Sequence, residues 1–579
     1  MARQDAPVGD GLLAPKINQQ AAFRKTWQQA LALAAISLAL FLAGNARTGL
    51  WDRDEPRNAV AVHEMRARGD WLRPTFNGEP RHHKPILNYW LMGLATAVIG
   101  EGPAGMRLHS ALAGSGTVLL VWLLGRRMLG ERAGFLAALM LAVSPIMVAE
   151  SKLATTDATL TFWLMGCQLC LWELAHRESP RIAYSFWVLL ALAMLTKGPV
   201  GPILLATTAL LAWWWGCPVP TVWKRLKWRR GLLLFTLLSA PWYVMMLFSS
   251  DGGFVEVAVK QQFLNRIATD MEQHGSIPGY YPLTSIILFF PWACLVPMGI
   301  VAAWQRRKAD PTLAYLLAWI VGPLVLLECV QTKLIHYYLP SFPACALLSA
   351  WVVKSISRQE VTLRRWPLGK LAQGMIGAVG VTAGVGLAAA SISAPPGLGI
   401  GLPLVACGLT LGLGTAVGLL HLHRGDTWRG AYALAAAVGL MMLFVGGWLL
   451  PNAEPLRVSR IVGERMIALK AQTGLDPLLM NYQEPGVIYA YGRPITLTRE
   501  GGVLQQELDR RGAMITAVTP NELPIFEKKF GVTITRIEDV LGFNPAKAKP
   551  TTLHLAVIRK AANAPSTASG TVGEESLIE

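Results

Sequence analysis

Residues 183–216 read AYSFWVLLALAMLTKGPVGPILLATTALLAWWWG, and Lys197 is the single charged side chain among them. A membrane-spanning helix needs about 20 mostly apolar residues. Lys197-Gly198-Pro199 breaks the stretch near its middle and leaves almost no turn, so it reads as two apolar helices, 183–197 and 199–216. Working outward, further apolar runs lie at 27–46, 107–126, 133–149, 153–174, 231–249, 283–303, 312–330 and 334–353, then at 371–391, 398–420 and 429–450. These thirteen runs predict an α-helical polytopic membrane protein of about 13 transmembrane helices. The run 86–99 is apolar but short, and reads as interfacial or re-entrant. About 26 mostly polar residues precede the first run without a convincing cleavage site after it, so that run reads as a retained helix rather than a signal peptide.

Composition agrees. Of 579 residues, 53% are hydrophobic and 15% charged, against about 25% charged in soluble domains. The net charge of +17 does not point to nucleic acid, because Lys and Arg sit between apolar runs instead of forming one basic face. They set orientation. One set of loops holds Arg126, Arg127, Arg132, Arg177, Arg181, Lys224, Arg225, Lys227, Arg229 and Arg230. It continues with Arg306, Arg307, Lys308, Lys354, Arg358, Arg364, Arg365, Lys370, Arg424 and Arg429. The alternate short loops hold Lys152, Lys197 and Lys333. Twenty against three places the first set, and the N-terminal tail 1–26, in the cytoplasm. The segments 47–106, 250–282 and everything after 450 then lie outside. The basic residues of 47–106 run against the orientation rule, and an anionic ligand would explain them.

All seven cysteines lie in or beside apolar runs. Cys167 and Cys170 form a C-x-x-C inside an apolar helix, which reads as small hydrophobes in a bundle. The C-terminal region 451–562 reads as a small α/β domain. A helix pattern covers Leu456 to Thr473, and short strands are predicted at 477–482, 495–498, 513–518 and 552–558. The tail 563–579 has a disordered composition.

The first outer segment opens Trp51-Asp52-Arg53-Asp54-Glu55-Pro56-Arg57. It passes through Gly69-Asp70-Trp71-Leu72 to Asn77-Gly78-Glu79-Pro80-Arg81-His82-His83-Lys84-Pro85. Then come Thr155-Thr156-Asp157-Ala158, Leu195-Thr196-Lys197-Gly198-Pro199, Asn265-Arg266 with His274, Tyr280 and Tyr281, and Thr332-Lys333-Leu334 with Tyr337-Tyr338-Leu339-Pro340. This ordered set, over roughly 27–350, resembles the bacterial membrane-embedded C-type glycosyltransferases related to protein O-mannosyltransferases. Within them it most resembles the lipid A 4-amino-4-deoxy-L-arabinose transferases. Relatives usually carry an acidic residue where this chain has His83.

The resemblance implies a C-type glycosyltransferase fold for 27–450, with outer loops 47–106 and 250–282 forming the site and 451–562 as a periplasmic domain in the bacterial inner membrane. It implies an undecaprenyl-phosphate-linked sugar as donor and lipid A as acceptor, with polymyxin resistance as the outcome. Lys84, Arg266, Lys333, Tyr338 and Arg57 are the candidates for the donor phosphate. Lys and Arg in a dry site stabilise the charge that grows on a departing phosphate. Asp54 is the candidate base for a hydroxyl acceptor, or an orienting group where the acceptor is an ionised phosphate. Asp157 is either catalytic or a helix cap. Glu55, His82, Tyr281 and Glu484 complete the candidate site. No cofactor is required, although Glu55 with His83, or the His82-His83 pair, has the chemistry of a Zn²⁺ site.

Two rival functions remain at this level. One is the same chemistry with another polyprenyl-linked sugar or a protein hydroxyl acceptor. The other is a lipid transporter or flippase, against which stand the absence of an internal repeat and the scarcity of mid-span charges. The topology is tested by labelling single cysteines from outside intact cells. Glu500→Cys should react and Arg225→Cys should not; the opposite result inverts the topology.

Overall fold

The computed structural model describes residues 14–51, 53–250, 252–265, 277–361, 367–395, 397–480, 482–498, 500–521, 523–544 and 549–561. Each of the thirteen apolar runs contains helix within these residues. Eight described helices are long and apolar enough to cross a membrane, and a ninth arises if Glu131–Val143 and Pro145–Ser151, bent by 63°, form one span. The chain is thus a multi-pass membrane protein. The run 283–303 is not one helix: Tyr280–Leu288, a turn at Trp292–Cys294 and Val296–Arg306 follow one another. Leu87–Ile99 is a 13-residue helix. At 1.5 Å per residue it reaches ~20 Å, short of the ~30 Å hydrocarbon core, as its short run implied.

Local chemistry explains the breaks. Proline opens the helices Pro103–Leu129, Pro145–Ser151, Pro180–Lys197 and Pro311–Glu328, at positions where a missing N–H is harmless. Gly198 ends Pro180–Lys197 at φ 68°, with its N–H donated to Met194 O. A β-carbon disfavours that conformation, so glycine permits the tight reversal into Val200–Trp214.

Contacts divide the chain into two units, Met1–Gly49 with Ala61–Ala453, and Leu50–Val60 with Glu454–Glu579. In the first, Pro103–Leu129 packs against Ala14–Leu42, Glu131–Val143 and Asp157–His176. Pro180–Lys197 lies between Asp157–His176 and Trp228–Ser249, and Val200–Trp214 against Pro311–Glu328. Pro367–Ala390, Gly401–His423 and Thr427–Phe444 pack in succession. The outer segment is pinned by side-chain bonds to backbone oxygens. Buried Arg107 donates to Thr48 O (2.8 Å) and Gly49 O (2.7 Å), Trp90 to Trp71 O (2.7 Å) and Trp242 to Leu72 O (3.1 Å).

The second unit is an α/β unit. Strands Ala513–Val518 and Val532–Asn544 pair antiparallel on either side of Lys549–Lys560. Leu478–Leu479 pairs parallel with Thr496–Leu497, and one bridge, Pro477 to Ile515, ties this pair to the larger sheet. Helix Val458–Thr473 matches the expected one. Strand Val532–Asn544 is an addition to the sequence reading. Only part of it alternates cleanly, and a bulge at Arg536/Glu538 interrupts the pattern. The unit also takes in Leu50–Val60, which the sequence grouped with the membrane region. Electrostatics holds it there: Arg53 lies 3.7 Å from Glu484, and the Arg457 guanidinium sits 5.4 Å above the Trp51 ring.

One close helix contact falls on two glycines. A β-carbon on Gly408 would lie 2.4 Å from Gly384 O and 2.7 Å from Ala388 N. Gly408→Leu must therefore separate Pro367–Ala390 from Gly401–His423. We expect a lower Tm in detergent, with a destabilisation of about 1–3 kcal/mol typical of overpacking.

Candidate functional site

A cavity of about 430 Å³ lies inside the first unit. Its walls come from helix ends and turns opposite the arginine-rich loops. They are His82, His83, Lys84 and Pro85; Asp157 and Leu160; Met194 to Val200; Ile203, Leu204 and Tyr243; Phe254, Ala258 and Val259; and Leu326, Leu327, Val330, Tyr337 and Pro340, with residues 195 and 196 excepted. Most of this surface is aliphatic or aromatic.

The charged groups converge at one place. Lys197 Nζ lies 2.5 Å from Asp157 Oδ1, with only 10% and 9% of the two side chains exposed. The same ammonium sits 5.0 Å from the centre of the Tyr337 ring. His336 stands between two carboxylates, with Nε2 4.0 Å from Asp157 Oδ2 and Nδ1 3.9 Å from Glu150 Oε1. Glu150, buried, accepts from Thr155 Oγ1 at 3.2 Å. Lys84 is half-buried on the wall, close enough to act on Asp157 through its charge. Among the lining residues, two ammonium groups thus face one carboxylate.

His82 packs edge-on to Phe254 (centroids 6.1 Å apart), which in turn meets Trp242 and Tyr243. Its Nδ1 is buried without a hydrogen-bond partner, and burial lowers its pKa below that of an ordinary histidine. Neutral imidazole is therefore its form at pH 7. His83 is exposed.

The remaining candidates are distributed as follows. Lys333 is buried and lies 3.2 Å from Glu328, whose oxygens accept from the backbone N–H groups of Gly279 (3.1 Å) and Tyr281 (3.0 Å). Tyr338 is buried with its hydroxyl donated to Ile320 O at 2.9 Å; its neighbour Tyr337 reaches the cavity instead. Buried Tyr281 stacks obliquely on Tyr338. Arg266 and His274 lie outside the described residues. Asp54, Glu55, Arg57 and Glu484 belong to the second unit. Asp54 is exposed at the start of the helix Asp54–Arg68, 3.8 Å from Arg57. Glu55 is buried and accepts from Trp51 N at 2.7 Å. Glu484 is buried beside Arg53 and 3.4 Å from Asn544 Nδ2. Among the described residues, no group of three or more His, Cys, Asp or Glu side chains is placed to hold a metal ion.

The site roles assigned from sequence omitted Lys197, Glu150, His336 and Tyr337. Lys197 had a usable signal, since an isolated charge in 34 apolar residues needs a partner.

The family model described as dolichyl-phosphate-mannose-protein mannosyltransferase matches residues 83–244. The chain is 32% identical over 335 residues to an undecaprenyl phosphate-alpha-4-amino-4-deoxy-L-arabinose arabinosyl transferase of Pseudomonas fluorescens, covering 56% of this chain and 59% of that protein. It is 27% identical over 416 residues to the Pectobacterium atrosepticum protein of the same name, covering 69% and 72%. The chain thus spans about three fifths of the length of the first of these relatives. Among solved structures, ArnT from Cupriavidus metallidurans bound to undecaprenyl phosphate superposes with a TM-score of 0.70 at 18% identity, over 92% of this chain and 98% of that one. The Archaeoglobus fulgidus oligosaccharyltransferase gives 0.52 at 12% identity, over 92% and 74%. The structural likeness establishes the C-type glycosyltransferase fold. The resemblance carried by the outer-loop motifs holds: the chain resembles these membrane glycosyltransferases, and among them the aminoarabinose transferases.

The buried pair has a thermodynamic signature. Lys197→Met or Asp157→Asn alone strands or unbalances its partner in an apolar site, at a cost of about 3–5 kcal/mol. The double variant should recover much of that loss in thermal unfolding. Equal losses in all three proteins would remove the pair as a structural element.

Proposed function

We propose that the protein transfers 4-amino-4-deoxy-L-arabinose from undecaprenyl phosphate to a lipid A phosphate at the periplasmic face of the bacterial inner membrane. The observation that carries this reading is the cavity: apolar walls beside Lys84 and Lys197 with Asp157 as the one lining carboxylate among the described residues. An isoprenoid chain ending in a phosphate presents the complementary surface, apolar along its length and anionic at its end. The names of the relatives supply the sugar. In this reading the chain crosses the membrane thirteen times, with the N-terminus cytoplasmic and 451–562 periplasmic. The less negative outer membrane that results would resist polymyxin.

In the reaction, an oxygen of the lipid A phosphate attacks the anomeric carbon as the bond from that carbon to the donor phosphate oxygen breaks. Undecaprenyl phosphate leaves carrying the bonding electrons. Its growing charge is stabilised by Lys84, joined by Arg266, whose guanidinium fits phosphate bidentately. The acceptor oxygen is already ionised and needs no base. Asp54 therefore serves as an orienting carboxylate for the aminosugar or acceptor. Asp157, held by Lys197 and flanked by His336, sets the charge of the cavity wall beside Lys84.

Mass spectrometry of lipid A from the host, with and without the gene, tests the substrate pair. Loss of the aminopentose increment with the gene, and its return on complementation, is the expected result. An unchanged lipid A with altered glycosylation of protein would transfer the reading to a hydroxyl acceptor. Lys84→Ala and Arg266→Ala should each lower transfer 10²–10³-fold, or about 2.7–4 kcal/mol, while the protein stays folded in detergent. Asp54→Asn should lose activity only in part; complete, pH-dependent loss would mark Asp54 as a base and the acceptor as a hydroxyl.

A further inference from the structure

The second unit is joined to membrane helices at two points. Leu50 follows the first helix through the turn at 43–49, and Glu454 lies within the apolar span Thr427–Leu456. The two tethers meet inside the unit, since Arg457 covers the Trp51 ring at 5.4 Å. The strand Val532–Asn544 ends at the same place. Phe543 bridges to Arg457, and a β-carbon on Gly542 would lie 2.6 Å from Leu456 O and 3.0 Å from Val458 Cβ.

On this strand Leu541 and Phe543 share one face, because side chains alternate with period 2. They are 72% and 36% exposed, while Asn544 on the other face is buried. Leu456 lies three positions beyond Ala453, where the first unit ends. Three residues span at most ~11 Å, and the headgroup layer on each side of the hydrocarbon core is roughly 5–7 Å thick. Covalent reach alone therefore keeps Leu541 and Phe543 near headgroup depth. Exposed apolar side chains beside an interfacial Trp and an Arg suit that depth, where the apolar body meets acyl chains and the polar group stays wet.

We propose that Leu541 and Phe543, with Trp51, form a membrane-docking edge of the C-terminal unit that inserts into the phospholipid interface. The occupant of this surface is the bilayer itself. Docking there fixes the height of the unit above the lipid in which any lipid substrate travels.

The test uses the full chain in nanodiscs. Cys329 is the exposed cysteine among the seven, and the others are buried, so Cys329→Ser gives the background. Leu541→Cys and Phe543→Cys are each labelled with bimane, with Gln472→Cys, exposed near the far end of Val458–Thr473, as the aqueous reference. Blue-shifted emission at 541 or 543 that brominated phospholipid quenches severalfold more than it quenches 472 is the expected result. Water-like emission at both positions, unaffected by bromine, overturns the proposal. A blue shift without bromine quenching also overturns it, and points to a second copy of the chain as the occupant.

Discussion

The salt bridge between Asp157 and Lys197 sets the geometry of the membrane unit. Neither charge is tolerable alone in an apolar bundle, because removing an ion from water is costly unless a partner and hydrogen bonds replace the solvent. The two helices that carry them answer this jointly. Asp157 occupies the first turn of Asp157–His176, and Lys197 the last turn of Pro180–Lys197. A carboxylate at a helix N-terminus and an ammonium at a C-terminus each complement the local dipole. Pairing them at 2.5 Å brings those two ends together on one side of the membrane. Gly198 then lets the chain reverse at once into Val200–Trp214, so the pair sits on the cavity wall instead of deep between helices.

A second buried pair, Lys333 with Glu328, does a different job. Glu328 receives backbone N–H groups from Gly279 and Tyr281 as well as the ammonium. It therefore anchors the start of Tyr280–Leu288 to the end of Pro311–Glu328. Tyr281 then packs on Tyr338, whose hydroxyl is held by Ile320 O. Lys333 and Tyr338 thus pack into this joint, and Tyr337 is the aromatic group that faces Lys197.

Sequence reading reached the helices because hydrophobic length is a strong signal, and the motifs that carry the resemblance drew attention to Lys84 and Asp157, which both line the cavity. It failed where neighbours in sequence diverge in space. Tyr337 and Tyr338 are adjacent and equally apolar-aromatic, and only the turn geometry at 334–341 decides which one points to the cavity. Glu150 received no role from the sequence, and the break at Ser144-Pro145, which turns Pro145–Ser151 by 63°, carries it to His336. Leu50–Val60 was assigned by its position between two spans, whereas its ion pair with Glu484 depends on residues more than 400 positions away. Long-range pairings of this kind leave no local periodicity to read.

The basic residues of the outer segment pose the same question at the level of charge. They run against the orientation rule, and the fold absorbs most of them internally. Arg66 binds Glu101, Thr96 and the Gly93 carbonyl; Arg68 binds Thr75 and the Arg73 carbonyl; Arg73 lies 3.8 Å from Asp70; Arg81 is buried on the Tyr89 hydroxyl. Guanidinium groups suit this work, because their planar fork satisfies several acceptors at once. Lys84 differs in chemistry as well as in place. Its ammonium is a compact charge on a flexible stem, and it lies on the wall of an apolar cavity that already holds one satisfied ion pair. The arginines tie the loop to its own backbone and side chains, and Lys84 stands at its edge on the cavity wall.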